Sequence, residues 1–467
     1  MIPWNPVGLA TAIGAELSPA VDPDARLTGV VIDSRQAGPG QVFVALPGSR
    51  VDGIDFAPQA FAQGSPLAVV ARPVPGPIAL VKDPAAALGH LAEVALRRAR
   101  VAAAGMKVIA ITGSVGKTTT KDLLATITAA NGPTVAARGS FNNHLGVPLT
   151  VIEADRETAF VVVEMGASHE GEIAALTRVA PPDVAIVLGV GQAHLGEFGS
   201  REAIARAKAE VVAGLTPEGT AVLNMDDPLV RAMAFGAPEN LITFGFEDMA
   251  RIRGTKRRLG PDARLRLTVT DQDTGQSARI ATALVGRHLA INVVAAVAGA
   301  VAAGIPLTRA AAVLDQIGAA SPHRMQVVNL PCGATLVDDS YNASPESMAA
   351  AITTAADLAG QAGKRVIGVL GEMRELGRAG AAEHVRVGRL ASRHGFARLI
   401  AVGHAARGIG VGAATNGMAD EDIEFWPDTN GLAAHLKSIA GQELILIKGS
   451  HGTDLWRVAQ ALGAEDD

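Results

Sequence analysis

The run Ile109-Ala-Ile-Thr-Gly-Ser-Val-Gly-Lys-Thr-Thr-Thr120 sets an apolar stretch, a glycine-containing loop, a lysine and three threonines in a row. Val108 to Ile111 reads as a buried strand, and Lys117 onward reads as a helix start. Backbone N–H groups of a loop through Gly113, Ser114 and Gly116, and of the helix N-terminus behind it, point at a bound anion. Lys117 supplies a point charge for the β- and γ-phosphates of a nucleoside triphosphate. The Thr118 hydroxyl, with Thr119 beside it, can reach Mg²⁺. The general phosphate-loop pattern has glycine six residues before the lysine; Ile111 stands there, so the loop is a tighter variant.

Further along, Glu164 ends the apolar run Phe160 to Val163, and a carboxylate at a strand's C-terminal end suits Mg²⁺, which takes one or two carboxylates besides phosphates and water. His194 follows the run Val184 to Leu188 in a glycine-rich segment, where it suits a metal ligand or a partner of one. His169, Glu170 and Glu172 are assigned to a helix and kept out of the site. Lys208 falls on the apolar stripe Ile204, Lys208, Val211, Leu215 of a helix. Two readings stand. The lysine snorkels to water, or it lies at depth, where a neutral amine reacts with CO₂ to give a metal-bridging carbamate. Asn292, polar on an apolar helix, needs a hydrogen-bond partner, either a nucleotide base or a backbone carbonyl. Arg324 suits a phosphate and Asp339 a ribose hydroxyl, and Lys448 ends a strand where it can meet an anion; surface roles remain open for each.

These residues need elements to hold them. The 467 residues allow about three domains. Residues 1–105 hold short strands and an Ala-rich helix from Pro84 to Arg100. Residues 106–318 alternate strands and helices after the phosphate loop, as a largely parallel sheet does. Residues 319–467 repeat the alternation and read as Rossmann-like, with Ser344-Pro345 as a helix start. The fold class is therefore α/β, in three domains. With 48% hydrophobic and 19% charged residues the chain can bury several cores. A net charge of −5 gives no bulk attraction to nucleic acid. The single cysteine, Cys332, excludes an internal disulfide and reads as a small buried hydrophobe. Leu289 to Ile305, the longest apolar stretch, is short for a membrane span and reads as a buried helix. The N-terminus lacks a basic, apolar leader, so a cytoplasmic protein is expected.

Together the motifs resemble the ATP-dependent Mur ligases of bacterial cell-wall synthesis. The resemblance spans about residues 28 to 460. It rests on the phosphate loop with its missing first glycine, and on Lys208 following His194 by 14 residues. Ser140-Phe-Asn-Asn-His-Leu-Gly-Val-Pro-Leu149, Glu164 to Ile173, Ala193 to Ser200, Asp338-Asp-Ser-Tyr-Asn-Ala343, Gly371 to Gly377 and Lys448-Gly-Ser450 also carry it. Ile32-Asp-Ser-Arg35, Phe43 to Leu46 and Gly48 to Phe56 are similar to the domain that holds a UDP-sugar. Two departures are Gly196, where the family often has Glu, and His451, where many members have Arg.

The resemblance implies an N-terminal UDP-substrate domain, a central ATP domain and a C-terminal domain gripping ATP and the amino substrate. It is strongest to the member that joins D-Ala-D-Ala to UDP-N-acetylmuramoyl-tripeptide through an acyl phosphate. ATP and two Mg²⁺ are implied. Lys117, His194 and a carbamylated Lys208 become catalytic. Thr118, Glu164, His194 and Lys208 become metal ligands, and Asn292, Arg324 and Asp339 grip ATP. Ser34, Arg35, Asn142, Asn143, Asn342 and Lys448 are expected at the substrates, and the protein is expected to be a monomer. The alternatives are the ligase adding the third amino acid, a folylpolyglutamate synthetase-like ligase, or a P-loop ATPase switch.

Overall fold

The computed structural model describes residues 1–48, 51–260, 263–315, 317–318 and 321–463. The segment boundary expected at 318/319 falls beside residues outside that set, as do residues 49 and 50 of the Gly48–Phe56 motif. Among the described residues the strands form three sheets, each in a layered α/β arrangement.

The first sheet runs in the order Glu16–Leu17, Ile78–Leu80, Leu67–Val70, Gln41–Val44, Gly29–Val31. Only the two-residue edge pairs antiparallel. The helix Pro84–Ala102 starts on Asp83, whose side chain accepts from the N–H groups of Ala85 and Ala86, with Pro84 in the first turn.

The second sheet carries the phosphate loop. Its order is Thr134–Ala136, Phe160–Glu164, Lys107–Thr112, Val184–Val187, Thr220–Asn224, Leu241–Gly245, then Ile252–Leu259, Leu265–Asp271 and Ser277–Thr282. The last two join as an antiparallel extension. The parallel strands are buried on both faces, which is why they read as continuous apolar runs rather than alternating ones. Phe160–Glu164 and Val184–Val187 flank Lys107–Thr112. The chain thus changes direction along the sheet at the phosphate-loop strand, the kind of crevice where α/β sheets bind ligands. The apolar stretch is the buried helix Ala290–Ala302. It presses close enough that a Cβ on Gly299 would meet Ile186 Cδ1 at 2.5 Å.

The third sheet runs Gln326–Asn329, Thr335–Asp338, Leu444–Lys448, Val366–Gly371, Arg398–Val402, Ile423–Trp426, parallel except for the first strand. Ser344 caps the helix Pro345–Ala362 with a reciprocal bond to Ser347.

Two expectations need correction. The helix after Glu164 begins only at Glu172, because Gly171 at φ 89° leaves the helical region; His169 and Glu170 lie in the preceding turn. Cys332 is exposed, on the turn between two antiparallel strands, rather than buried. Among the described residues no helix is long and apolar enough to cross a membrane.

Candidate active site

Register explains how distant residues meet. Ile111 pairs with Glu164 and Thr112 with Val187 on neighbouring parallel strands. The phosphate loop, Glu164 and the segment Gly189–His194 therefore leave the sheet at the same end, side by side. Ser114 N donates to Gly189 O at 3.0 Å, tying two of these loops together.

The loop places a cation and a hydroxyl at its exit. Lys117 Nζ donates to Gly113 O at 2.9 Å. Its burial, with Arg324 nearby, lowers its pKa from the ordinary lysine value, against the pull of Glu164. Thr118 Oγ1 donates to Glu164 Oε2 at 2.8 Å and accepts from Arg324 Nη2 at 2.9 Å. Asn142 Nδ2 donates to the other oxygen, Glu164 Oε1, at 2.7 Å. Glu164 is 1% exposed, so both its oxygens are fixed rather than solvated. Lys121, one turn into the helix, donates to Ala137 O at 2.8 Å and Gly139 O at 3.1 Å and so holds the approach to Asn142.

Lys208 is 3% exposed on the helix Arg201–Ala213, which opens on a Ser200 cap. Burial excludes snorkelling. Desolvation, helped by repulsion from Lys117, lowers the Lys208 pKa to about 7. His194 adopts a left-handed backbone (φ 61°), and its pKa is lowered first by burial, against Glu375.

A cleft of about 1170 Å³ joins these groups to the third sheet. Its lining includes Ser114, Gly116 to Thr119, Asn142, Asn143, Glu164, His194, Lys208, Asn292, Arg324, Asp339, Asn342 and Lys448. Arg324 lies over the Tyr341 ring at 4.3 Å, and Tyr341 OH meets Ser140 Oγ across the cleft. Several expected roles change at this resolution of detail. Asn292 Nδ2 donates to Gly116 O at 3.1 Å and Thr120 Oγ1 at 3.0 Å, so its amide is committed to the phosphate loop. Asn143 Oδ1 accepts from the N–H groups of Leu145 and Gly146, and so holds the start of a helix. Lys448 Nζ is paired to Asp339 Oδ2 at 2.6 Å and to Asn342 O at 2.8 Å, which neutralises the cation inside its domain. Ser34, bonded to Gln59, and Arg35, 80% exposed and paired to Asp33, lie outside the cleft lining.

The site fits a phosphate ligand and a hard cation. Ser114 Oγ and Arg324 Nε are buried at the cleft without a protein partner among the described residues. Such donors are costly unless a ligand satisfies them. Glu164 and Thr118 offer the oxygen set that Mg²⁺ takes. Among the described residues no three His, Cys, Asp or Glu side chains cluster as a metal cage. A second cation beside Glu164 and His194 therefore needs an added anionic oxygen.

Sequence reasoning passed over two carboxylates. Glu346 Oε1 accepts from Gln192 N at 2.8 Å, and Glu375 Oε2 lies 2.6 Å from His194 Nδ1. Both reach from the third sheet's domain to the central one; the Gly371–Gly377 motif singles out the segment of Glu375 but not its contact with His194, and nothing local singles out Glu346.

Family models match three stretches: "Mur ligase family, catalytic domain" over residues 26–101, "Mur ligase middle domain" over 111–300, and "Mur ligase, glutamate ligase domain" over 323–451. The chain belongs to the Mur ligase family and is a ligase. It is 39% identical to the UDP-N-acetylmuramoyl-tripeptide--D-alanyl-D-alanine ligase of Mycobacterium tuberculosis, over 100% of this chain and 99% of that one. It is 34% identical to the ligase of the same name from Escherichia coli, over 94% of each. Among solved structures, MurF from Acinetobacter baumannii superposes with a TM-score of 0.85 at 30% identity, covering 99% of both chains. MurF from Thermotoga maritima in complex with ADP superposes at 0.77 and 27% identity, covering 93% of this chain and 97% of that one.

Proposed function

We propose that this ligase joins D-Ala-D-Ala to UDP-N-acetylmuramoyl-tripeptide at the expense of ATP, in peptidoglycan precursor synthesis. The observation that carries the reading is the convergence of Lys117, Thr118, Glu164 and His194 at one sheet end, with a buried lysine of lowered pKa facing the same cleft. The full-length relatives bear the name of that reaction.

In this reading the substrate's terminal carboxylate attacks the γ-phosphorus, and ADP leaves. The dipeptide amine then attacks the acyl carbon, sheds a proton and expels phosphate. The chemistry requires positioning and charge neutralisation rather than a protein nucleophile. Lys117 holds charge on the γ-phosphoryl group. Ser114 Oγ and Arg324 Nε donate to phosphate oxygens, and Thr118 and Glu164 would hold the nucleotide's Mg²⁺. The neutral Lys208 amine adds to CO₂, forming an N–C bond and releasing a proton to water. The carbamate oxygen, with Glu164 and His194, would hold a second Mg²⁺. Bound Mg²⁺ would screen the repulsion between the substrate carboxylate and the triphosphate. Asn292 braces the phosphate loop, and Asp339 remains the candidate for the ribose. Asn142, Asn143 and Asn342 line the path of the substrates.

The test is phosphate release from ATP and Mg²⁺ with UDP-N-acetylmuramoyl-tripeptide, with and without D-Ala-D-Ala. Release that needs both, with a UDP-linked pentapeptide by mass, supports the reading. Release indifferent to the dipeptide points to another acceptor or to a plain ATPase.

A further inference from the structure

The segment that carries His194 is held from both domains. On its own side, Asp227 Oδ2 accepts from Val190 N at 2.7 Å, and Arg201 Nη2 donates to Val190 O at 2.8 Å. Beyond that point the grips come from the third sheet's domain. Glu346 Oε1 takes the Gln192 N–H at 2.8 Å, and Glu375 O takes the Gly196 N–H at 3.0 Å. His194 sits midway between the two, with Nδ1 2.6 Å from Glu375 Oε2, a close approach without an aligned N–H bond.

Backbone conformation marks the same place. His194 (φ 61°) and Glu375 (φ 64°) are both non-glycine residues in the left-handed region, and they face each other across the domain boundary. Such conformations cost of order 1–3 kcal/mol and persist only where surroundings impose them. The approach is also close. A Cβ on Gly196 would lie 2.7 Å from Gly377 N and 3.0 Å from Glu375 O.

We propose that Glu375 is a positioning residue for His194: docking of the turn Glu375–Gly377 on Gly196 presents a carboxylate to imidazole Nδ1 and leaves Nε2 as the nitrogen available to a cation. Carboxylates that take the second imidazole N–H of metal-binding histidines fix the tautomer and orientation of the ring. Here that carboxylate arrives from another domain. The histidine therefore becomes a fixed ligand only when the two domains are docked. The inference rests on the proposed ligase reading for the role of His194, but its geometric claim does not.

The experiment uses the full chain labelled with ¹⁵N-histidine. The imidazole nitrogens of His194 are assigned by loss of their signals in His194→Gln, and spectra are taken at pH 8 without ligands. Wild type is expected to hold the tautomer protonated at Nδ1. Glu375→Gln, which keeps the side chain's size, and Gly196→Ala, which blocks docking, are each expected to shift the ring toward Nε2–H. With ADP and bicarbonate present, the second Mn²⁺, bound beyond the one that Thr118 and Glu164 would hold with the nucleotide and read by electron paramagnetic resonance, is expected to bind about tenfold more weakly in Glu375→Gln. A His194 tautomer unchanged in both variants overturns the proposal, whatever the activity. A tautomer shift in protein that even as wild type binds no second Mn²⁺ with ADP and bicarbonate leaves Glu375's positioning intact and overturns the metal-ligand reading of His194 instead.

Discussion

Asn292 and Gly116, 176 residues apart, are in direct contact: the Asn292 amide donates to the Gly116 carbonyl at 3.1 Å. The contact also sets the residue type at 116. Gly116 has φ 83°, and a Cβ there would lie 2.1 Å from Asn292 Nδ2. A helix of one face of the sheet thus fixes the curvature of the phosphate loop from behind.

Gly116→Ala should distort the loop through both backbone strain and collision with Asn292. Nucleotide affinity should fall at least tenfold while the far-ultraviolet circular dichroism is kept. Asn292→Ala leaves the Gly116 carbonyl and Thr120 hydroxyl without that donor, which costs about 1–3 kcal/mol for a buried group. Calorimetric titration with ADP checks the first variant and thermal unfolding the second.

Lys208→Ala should lose nearly all turnover and regain part of it with a short-chain carboxylate such as propionate. CO₂ adds only to the neutral amine. With a pKa of about 7, the neutral fraction rises as pH rises through 7. Carbamate labelling by ¹³CO₂ should therefore increase from pH 6 to pH 8 and be absent in the variant. Full activity of Lys208→Ala would end the carbamate reading.

Arg324 combines a bond to Thr118, a stack on Tyr341 and a free Nε at the cleft. Lysine reproduces the charge but not the planar fork. Arg324→Lys should raise KM for ATP roughly tenfold with a smaller change in kcat, as expected for a group that binds phosphate before and during transfer. A KM within twofold of wild type would remove Arg324 from the nucleotide site.

His288 gives a pH dependence with a definite sign. Burial, with Lys448 adding repulsion and Asp339 opposing, lowers its pKa from 6.5 to about 4. Between those values the unfolded chain binds a proton that the folded chain refuses, so stability falls as pH drops from 6.5 to 4. The full shift corresponds to about 3 kcal/mol; partial exposure of the ring reduces this to about 1–2 kcal/mol. Its ring lies 3.3 Å from Thr354 Oγ1, in the other domain, so the loss should appear as loosened docking. The urea midpoint of wild type should drop more than that of His288→Gln between pH 7.5 and pH 5.

What could be read from the sequence was what is local. Lys117 and Thr118 follow a strand directly and Glu164 ends one, so chain order placed them; it put Lys208 on a helical stripe but left its depth open, and the resemblance favoured burial. Ser344 announced its helix in the same way. What could not be read was set by partners more than a hundred residues away. Lys448 reads as a free cation at a strand end until the fold sets Asp339 beside it. Asn292 reads as open either to a base or to a backbone carbonyl, and the fold chooses the carbonyl of Gly116. Cys332 has the character of a core residue, but its turn is at the surface. Glu346 carries no local signature, and Glu375, though it lies in the Gly371–Gly377 motif, gives no sign there of its partner, because the significance of each is a contact made across a domain boundary.

The chain crosses from the central domain to the last one close to Arg324, and the residues on either side of it, His323 (φ 60°) and Met325 (φ 49°), are both left-handed. Arg324, the proposed phosphate donor, is therefore built into the crossing itself, with its guanidinium on the Thr118 hydroxyl behind the phosphate loop. Thermodynamic reciprocity then applies: any factor by which a bound triphosphate biases the crossing must return as the same factor in triphosphate affinity when the crossing is biased by other means. Relaxing His323 or Met325 to glycine, on either side of Arg324, is expected to change nucleotide affinity through the crossing.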